Sequence, residues 1–331
     1  MSTLESGECN MTQVALEREK KSRAIRGVIP ILHTEYAADD SINLTGIERE
    51  IEWIYRVGVD GCAIAMASDI LRLTQAERLG LIDVVAQLNA GRGTLVASVS
   101  AQTTAESIEY GRAAERAHYD AIMSTPPFAG GALEGHFRRL AEEIDLPLVV
   151  QDASAYVGEP MTLEFQAGLL QRYGPEKILY KPEAAPIGPN LSRLNQATGG
   201  AARIFDGCGG AYLIDSFRRG ITGVMPGCEL IDAIVLLWRA LEQGDDAAAY
   251  SLYFPMVALL VLQIQAGLDG FLSIERYVMK RRGIFTSDRM RSPDAWMPDA
   301  PTRAEIDRLL THLQAAVARH AGSRPATQPR S

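Results

Sequence analysis

Ile178-Leu179-Tyr180-Lys181 is a short apolar run that ends in a lysine, and Pro182-Glu183 follows it directly. It is the sixth such run in a chain that alternates apolar runs with amphipathic helical patterns. Short continuous apolar runs are typical of strands buried on both faces of a parallel sheet. In a barrel of such strands, a residue at a strand's carboxyl end opens into the face that carries the active site. The segment therefore predicts both an architecture and a place for chemistry.

Eight apolar runs separated by eight amphipathic patterns make up most of the chain. The predicted strands cover 27–33, 61–66, 94–100, 121–125, 147–151, 178–181, 203–206 and 223–226. The predicted helices cover 44–57, 76–88, 103–117, 137–144, 163–173, 191–196, 211–219 and 231–241. Eight strand–helix units predict an α/β fold of the closed (β/α)8 TIM-barrel type. An open doubly wound sheet is the alternative, but no G-x-G-x-x-G motif follows the first strand.

Three further helical patterns follow the eighth unit, at 245–266, 272–282 and 303–321. They carry more apolar residues than one surface stripe needs, so we expect them to pack against the barrel or against another subunit. The predicted organisation is an N-terminal disordered arm, the barrel, a C-terminal three-helix extension and a disordered tail. These parts cover 1–24, 25–243, 244–321 and 322–331.

Composition and charge exclude several classes of function. The 331 residues have a formal net charge of -8 and no long basic run, which argues against a nucleic-acid partner. The four cysteines form no C-x-x-C pair, so a zinc or redox motif is not indicated. The most apolar stretch, 256–264, is too short to span a bilayer, and the polar first 25 residues lack a signal-peptide pattern. We therefore expect a cytoplasmic protein without a membrane partner.

Lys181 is the candidate nucleophile. A lysine amine that is partly desolvated has a lowered pKa and can attack a carbonyl to form a Schiff base. The alternative is a lysine whose stem packs in the barrel rim while its ammonium group reaches water. The polar surroundings favour imine chemistry on a keto acid, which makes a small-molecule 2-keto acid the expected partner.

The other predicted strand ends bring polar and small residues to the same mouth. They include His33, Thr34, Ser68, Gln151, Asp152, Glu183, Asp206 and Gly227. His33 has no second histidine at ligand spacing, so we expect it to be structural or to contact substrate. We predict no metal cluster in this mouth and no cofactor.

The order and spacing of several segments resemble the dihydrodipicolinate synthase / N-acetylneuraminate lyase family of Schiff-base aldolases and dehydratases. The resemblance covers roughly residues 26 to 315, and its landmarks fall at five predicted strands. They are the segments 26–34, 58–61, 124–128, 178–181 and 220–227. It implies a (β/α)8 barrel with a helical C-terminal extension, a tetramer of identical subunits, and an imine-forming lysine at Lys181.

The chain departs from the family pattern where protons are handled. Gln151 stands where the synthases and lyases carry a tyrosine, and Phe128 stands where a second tyrosine is expected. The loop after strand 2 reads Met66-Ala67-Ser68-Asp69-Ile70 in place of Gly-Thr-Thr-Gly-Glu. The arginine that binds dicarboxylic substrates after strand 5 is missing, with Tyr156 near its place. These departures argue against dihydrodipicolinate synthesis.

The 2-keto-3-deoxyarabonate dehydratases are the branch that this chain resembles most, through the segments 149–153 and Lys181-Pro182-Glu183. The resemblance implies a lyase that dehydrates a 2-keto-3-deoxy sugar acid through an imine on Lys181. Glu183 is the candidate acid and base, although a salt-bridged rim carboxylate is equally compatible with its position. Gln151 would hydrogen-bond the substrate.

Five residues complete the expected substrate-binding set. They are Ser68 for the carboxylate, Thr34 at the mouth, and Asp152, Phe128 and Gly227. Two other functions stay open: a lyase that releases pyruvate by retro-aldol cleavage, and a non-catalytic barrel that binds a small molecule. Cleavage needs a proton acceptor for the substrate hydroxyl, and no tyrosine stands where one is expected.

Overall fold

The computed structural model describes residues 24–129, 133–154, 160–291 and 296–322. All but the last residue of the predicted N-terminal arm, nearly all of the predicted tail, and Tyr156 lie outside these residues. Within them, eight short strands and eight helices alternate up to residue 242. The prediction of a (β/α)8 barrel with C-terminal helices is therefore confirmed.

The strands are short and every pair is parallel. They are β1 Gly27–Val28, β2 Gly61–Ile64, β3 Thr94–Ser98, β4 Ala121–Ser124, β5 Leu148–Asp152, β6 Ile178–Pro182, β7 Phe205–Asp206 and β8 Gly223–Val224. One ladder runs from β2 to β6 and another joins β7, β8 and β1. Single bridges from Ile31 to Ala63 and from Tyr180 to Ile204 connect the two ladders and close the barrel.

A helix follows each strand and covers the outside of the barrel. The helices are α1 Leu44–Val57, α2 Gln75–Asn89, α3 Thr104–Arg116, α4 Leu133–Glu143, α5 Leu163–Tyr173, α6 Ile187–Ala197, α7 Leu213–Arg218 and α8 Ile231–Glu242. Hydroxyl caps define several starts: the Thr103 side chain accepts a hydrogen bond from the Glu106 amide, as Thr74 does from Glu77. The bounds predicted from the sequence agree with those of these helices to within a few residues.

Alternate residues of each strand point into the barrel and pack as a separate apolar cluster. Val149 of β5 and Leu179 of β6 belong to this interior cluster. Gln151 and Lys181 lie two positions further along the same strands and are paired in register. Because side chains alternate along a strand, both point inward, one layer closer to the mouth.

Three helices beyond the barrel form the C-terminal extension: α9 Asp246–Gln263, α10 Gly267–Arg281 and α11 Ala300–Ala321. The stretch 246–281 is long and apolar enough to pass for a membrane span, but core helices of soluble proteins share that composition. Here α9 buries Leu252, Met256 and Leu259 and packs against α8 and α11. The expected packing of the extension against the barrel is therefore present within one chain.

Helix α10 is tied to the barrel mouth by Arg276, which is fully buried. Its Nε donates to the carbonyl of Thr34 at 3.1 Å, and its Nη2 lies 3.4 Å from Asp69 Oδ2. Tyr36 Oη also donates to that Asp69 oxygen, at 2.9 Å. Residues 34 and 69 follow β1 and β2, so this one guanidinium joins the extension to two strand ends.

We predict that Arg276→Met destabilises the chain by about 3 kcal/mol, because the methionine keeps the apolar stem but leaves the buried Asp69 carboxylate with fewer donors. Urea unfolding at a fixed protein concentration measures the change. Arg281→Met is the matched control, since Arg281 lies on the same helix and bonds Asp307 in a largely exposed pair. Equal stability of the two variants would contradict the role given to Arg276.

Candidate functional site

The Lys181 side chain enters a cavity of ≈ 70 Å³ at the mouth of the barrel. Strand ends supply one wall of it, including Gln151, Lys181 and Gly227, and helix α10 supplies Phe271 and Glu275 from above. Lys181 is only 5% exposed. The alternative of an ammonium group reaching bulk water therefore does not describe this chain.

Glu183 is the partner of Lys181. Lys181 Nζ lies 3.2 Å from Glu183 Oε1, and Gln151 Nε2 donates to Glu183 Oε2 at 2.7 Å. The backbone amide of Cys208 donates to Oε1 at 3.2 Å. An ammonium, an amide and a peptide N–H thus hold one buried carboxylate in a fixed orientation against the lysine.

Gly207 provides the space that Glu183 needs. A Cβ atom at position 207 would lie 2.2 Å from Glu183 Oε1, well inside any allowed contact. The residue directly after β7 therefore has to lack a side chain for the Lys181–Glu183 pair to form. Sequence alone could not reveal this, because Gly207 touches a residue 24 positions away from it.

Asp206 lies behind this pair at the end of β7 and is 2% exposed. Burial raises the pKa of its carboxyl to about 7, with the charge of Glu183 acting in the same direction and that of Lys181 opposing it. Neither carboxyl oxygen has a hydrogen-bond partner among the described residues. Asp206 therefore takes up its proton near neutral pH, a property that the sequence did not reveal.

Two hydroxyl groups that were expected to contact substrate, those of Ser68 and Thr34, instead bond to backbone groups. Ser68 Oγ donates to the carbonyl of Leu32 and accepts from the amide of Ala65, and Thr34 Oγ1 donates to the carbonyl of Ser68 at 2.7 Å. Ser68 is buried in the turn after β2 and Thr34 in the segment after β1, and neither lines the Lys181 cavity. The assignment of Ser68 to the substrate carboxylate is thus not supported, because its hydroxyl already holds this turn together.

Asp152 and Phe128 also lie away from the cavity, whereas Gly227 lines it. Asp152 points outward from β5, where its oxygens accept hydrogen bonds from the amides of Ser154 and Met161. It borders a separate cavity of ≈ 260 Å³ between α5 and α6. Side-chain alternation explains this outcome, since Gln151 and Asp152 are neighbours on one strand and must face opposite ways.

No tyrosine lines the Lys181 cavity among the residues that the structure describes. The tyrosine-based proton relay that the family resemblance implies is therefore missing from this wall, in agreement with Gln151 and Phe128 at its positions. The ionisable groups that face the cavity are Lys181, Glu183, Cys208 and Glu275. Glu275 comes from α10, far along the chain from any strand end, and was not predicted.

A second group of buried ionisable residues surrounds His33 beside the cavity. His33 Nδ1 lies 2.7 Å from Glu50 Oε1, and His33 Nε2 lies 3.3 Å from Glu275 Oε2 and 3.9 Å from Glu229 Oε2. Burial alone would lower the pKa of His33, but Glu50 and Glu275 outweigh it and raise the pKa to about 10. Burial, reinforced by Glu275, raises the pKa of Glu229 to about 7.

Residues 24–311 match the Dihydrodipicolinate synthetase family. The L-2-keto-3-deoxyarabonate dehydratase of Azospirillum brasilense is 26% identical over 308 residues, which cover 89% of this chain and 97% of that protein. The N-acetylneuraminate lyase of Citrobacter koseri is 24% identical over 274 residues, covering 75% and 84%. Among solved structures, dihydrodipicolinate synthase from Rhodopseudomonas palustris superposes with a TM-score of 0.79 at 24% identity, covering 87% of this chain and 97% of that one.

We predict that Asp206→Asn changes how stability depends on pH. Unfolded Asp206 ionises near pH 4 and folded Asp206 near pH 7, so the wild type loses stability relative to the variant as the pH rises between these values. The difference reaches a few kcal/mol, on the order expected for such a shift. Urea unfolding at pH 4.5 and pH 8 measures it. Asp83→Asn, on an exposed position of α2, is the control, and parallel pH profiles for all three proteins would refute the prediction.

Proposed function

The chain belongs to the dihydrodipicolinate synthetase family, and from this we propose that it is a lyase that forms a Schiff base between Lys181 and a 2-keto acid. We infer further that it dehydrates a 2-keto-3-deoxy sugar acid. One observation carries the proposal: the buried Lys181 amine and Glu183 carboxylate lie 3.2 Å apart in the cavity at the barrel mouth. The dehydratase of A. brasilense, which matches 89% of this chain, supports the substrate class.

The first step joins the lysine to the substrate. The uncharged Lys181 Nζ attacks the C2 carbonyl carbon, and the resulting carbinolamine loses its oxygen as water to leave an iminium ion. Proton transfer from the ammonium to the neighbouring Glu183 carboxylate supplies the uncharged amine. Glu183 then passes that proton to the carbinolamine oxygen that leaves as water, so it is a carboxylate again when the iminium ion has formed. The positive iminium withdraws electrons from C2 and makes the hydrogens on C3 acidic.

Glu183 is suited to move the next protons. Imine formation leaves a single hydrogen on the Lys181 nitrogen, while Gln151 and the Cys208 amide still hold the Glu183 carboxylate in place. The carboxylate takes a C3 proton and gives an enamine, whose electrons expel the C4 hydroxyl. The same carboxyl returns its proton to the departing oxygen, so one water leaves and a C3–C4 double bond forms.

Retro-aldol cleavage is the second candidate, and the N-acetylneuraminate lyase relative supports it at the level of the scaffold. Cleavage needs a base placed at the C4 hydroxyl to break the C3–C4 bond. The tyrosine-free wall of the cavity, as far as the described residues define it, favours dehydration. Product analysis separates the two reactions: dehydration gives a dehydrated keto acid, and cleavage gives pyruvate with an aldehyde.

We predict that borohydride in the presence of pyruvate attaches one reduced pyruvate to Lys181 of the wild type. Lys181→Arg abolishes both the adduct and turnover of 2-keto-3-deoxy sugar acids, because a guanidinium does not form the imine. Peptide mass spectrometry locates the adduct. Lys280→Arg, on an exposed position of α10, is the matched control and keeps both. No adduct with any of a panel of 2-keto acids would favour the non-catalytic binding barrel.

We predict that Glu183→Gln separates imine formation from proton transfer. The variant still accumulates a trapped pyruvate adduct on long incubation, because water can also deprotonate Lys181, but it exchanges the pyruvate methyl hydrogens with deuterated water about 100-fold more slowly, the usual range for removing an acid–base group. Proton NMR follows the exchange. Glu164→Gln, an exposed substitution on α5, serves as control. Unchanged exchange in Glu183→Gln would assign the proton transfer to another group.

A further inference from the structure

We propose that His33 Nε2, Glu229 Oε2 and Glu275 Oε2 bind a divalent transition-metal cation at the wall of the Lys181 cavity. These three atoms lie within 4.8 Å of one another. Their polar neighbours are one another, with His33 Nε2 3.3 Å from Glu275 Oε2, and none of the three atoms makes a well-aligned hydrogen bond to any other group in the described part of the chain. All three residues are at least 95% buried. Imidazole nitrogen with carboxylate oxygen is a donor set that Zn²⁺ and Mn²⁺ accept.

The residues around the three atoms orient them as ligands. His33 Nδ1 faces Glu50 Oε1 at 2.7 Å, so when a cation displaces the Nε2 proton the imidazole donates its Nδ1 hydrogen to that carboxylate and turns the Nε2 lone pair towards Glu229 and Glu275. Metal-binding histidines usually donate their other N–H to a carboxylate in this way. Gln263 Nε2 donates to Glu229 Oε1 at 2.9 Å, which leaves the other Glu229 oxygen pointing to the same place.

Charge supports a cation here. Glu50, Glu229 and Glu275 bring three carboxylates around one histidine, and each of them is buried. Even a protonated His33 would leave an excess of negative charge away from water, which is costly without a counter-ion. Gly227 sits against two of these carboxylates: a Cβ there would lie 2.3 Å from Glu229 Oε2 and 2.7 Å from Glu275 Oε1. The backbone at 227 thus leaves room for both side chains to converge.

The position of the site suggests what the cation does. Glu275 and Gly227 also line the Lys181 cavity, whose other acidic group is Glu183. A 2-keto acid that enters this cavity brings a carboxylate of its own, and a cation held by Glu275 offers it the positive partner that Ser68 does not supply. This role rests on the proposed function, whereas the site itself does not.

Metal binding is tested directly on the purified full-length chain after treatment with a chelator. Dialysis against Mn²⁺ or Zn²⁺ should leave one cation per wild-type chain, measured by elemental mass spectrometry, and Mn²⁺ titration followed by electron paramagnetic resonance gives the affinity. Glu229→Gln should remove the site without unfolding the chain, since it takes one charge out of a crowded cluster. Glu50→Gln should weaken binding 10- to 100-fold, as is typical when the hydrogen-bond partner of a ligand histidine is lost.

Two further variants define which atoms bind. Cys228→Ser should leave Mn²⁺ affinity unchanged, because Cys228 groups with the Nδ1 side of His33 and its thiol faces the carbonyl of Ile31 at 3.2 Å. Glu183→Gln should also bind like the wild type. The proposal is overturned if the wild type retains no more cation than Glu229→Gln, or if Cys228→Ser loses it.

The substrate role has a separate readout. Metal-loaded wild type should form the borohydride-trapped pyruvate adduct at a pyruvate concentration at least 10-fold lower than the metal-free protein, and Glu229→Gln should not respond to metal. Equal concentration dependence with and without bound cation would refute the anchoring role. Failure of trapping in a protein that binds its cation would instead overturn the proposed function and leave the metal site standing.

Discussion

The buried contact between the Lys181 ammonium and the Glu183 carboxylate is the interaction on which this site depends. Taking two charges out of water costs several kcal/mol for each ion, and their attraction offsets this only when further hydrogen bonds complete the geometry. Here Gln151 and the Cys208 amide complete it, and Gly207 leaves the space. A pair of apolar residues would fill the barrel at least as stably, so retention of this pair points to chemistry.

Negative charge is the second constraint on the mouth of the barrel. Asp206, Glu183, Glu229 and Glu275 are all buried there. Burial raises the pKa of both the Asp206 and the Glu229 carboxyl groups and so resists their ionisation. A cavity lined by carboxyl groups is a poor host for an anionic keto acid unless a positive charge is present. In the proposed reaction Lys181 would supply one such charge as an iminium, and a cation beside His33 would supply another.

The barrel fold and the position of Lys181 at its mouth could be predicted from the sequence. Apolar runs of strand length alternating with helical periodicity predicted the barrel, and the place of Lys181 at the sixth strand end predicted its cavity. The hydroxyls of Thr34 and Ser68 could not be assigned this way, because both donate to backbone carbonyls and join the segment after β1 to the turn after β2. Glu275 was missed for a different reason: only the fold of α10 over the mouth brings it near residues more than 40 positions away.

The choice between dehydration and cleavage depends on where protons can be held. Both reactions begin from the same iminium, but they differ in whether a base must reach C3 or the C4 hydroxyl. The Glu183 carboxylate is fixed beside the Lys181 nitrogen by the Gln151 side chain and the Cys208 amide, neither of which takes part in imine formation. In the proposed reaction it would take the C3 proton and return it to the departing hydroxyl. A cavity whose acid–base group is held next to Lys181 therefore favours dehydration over cleavage of the C3–C4 bond.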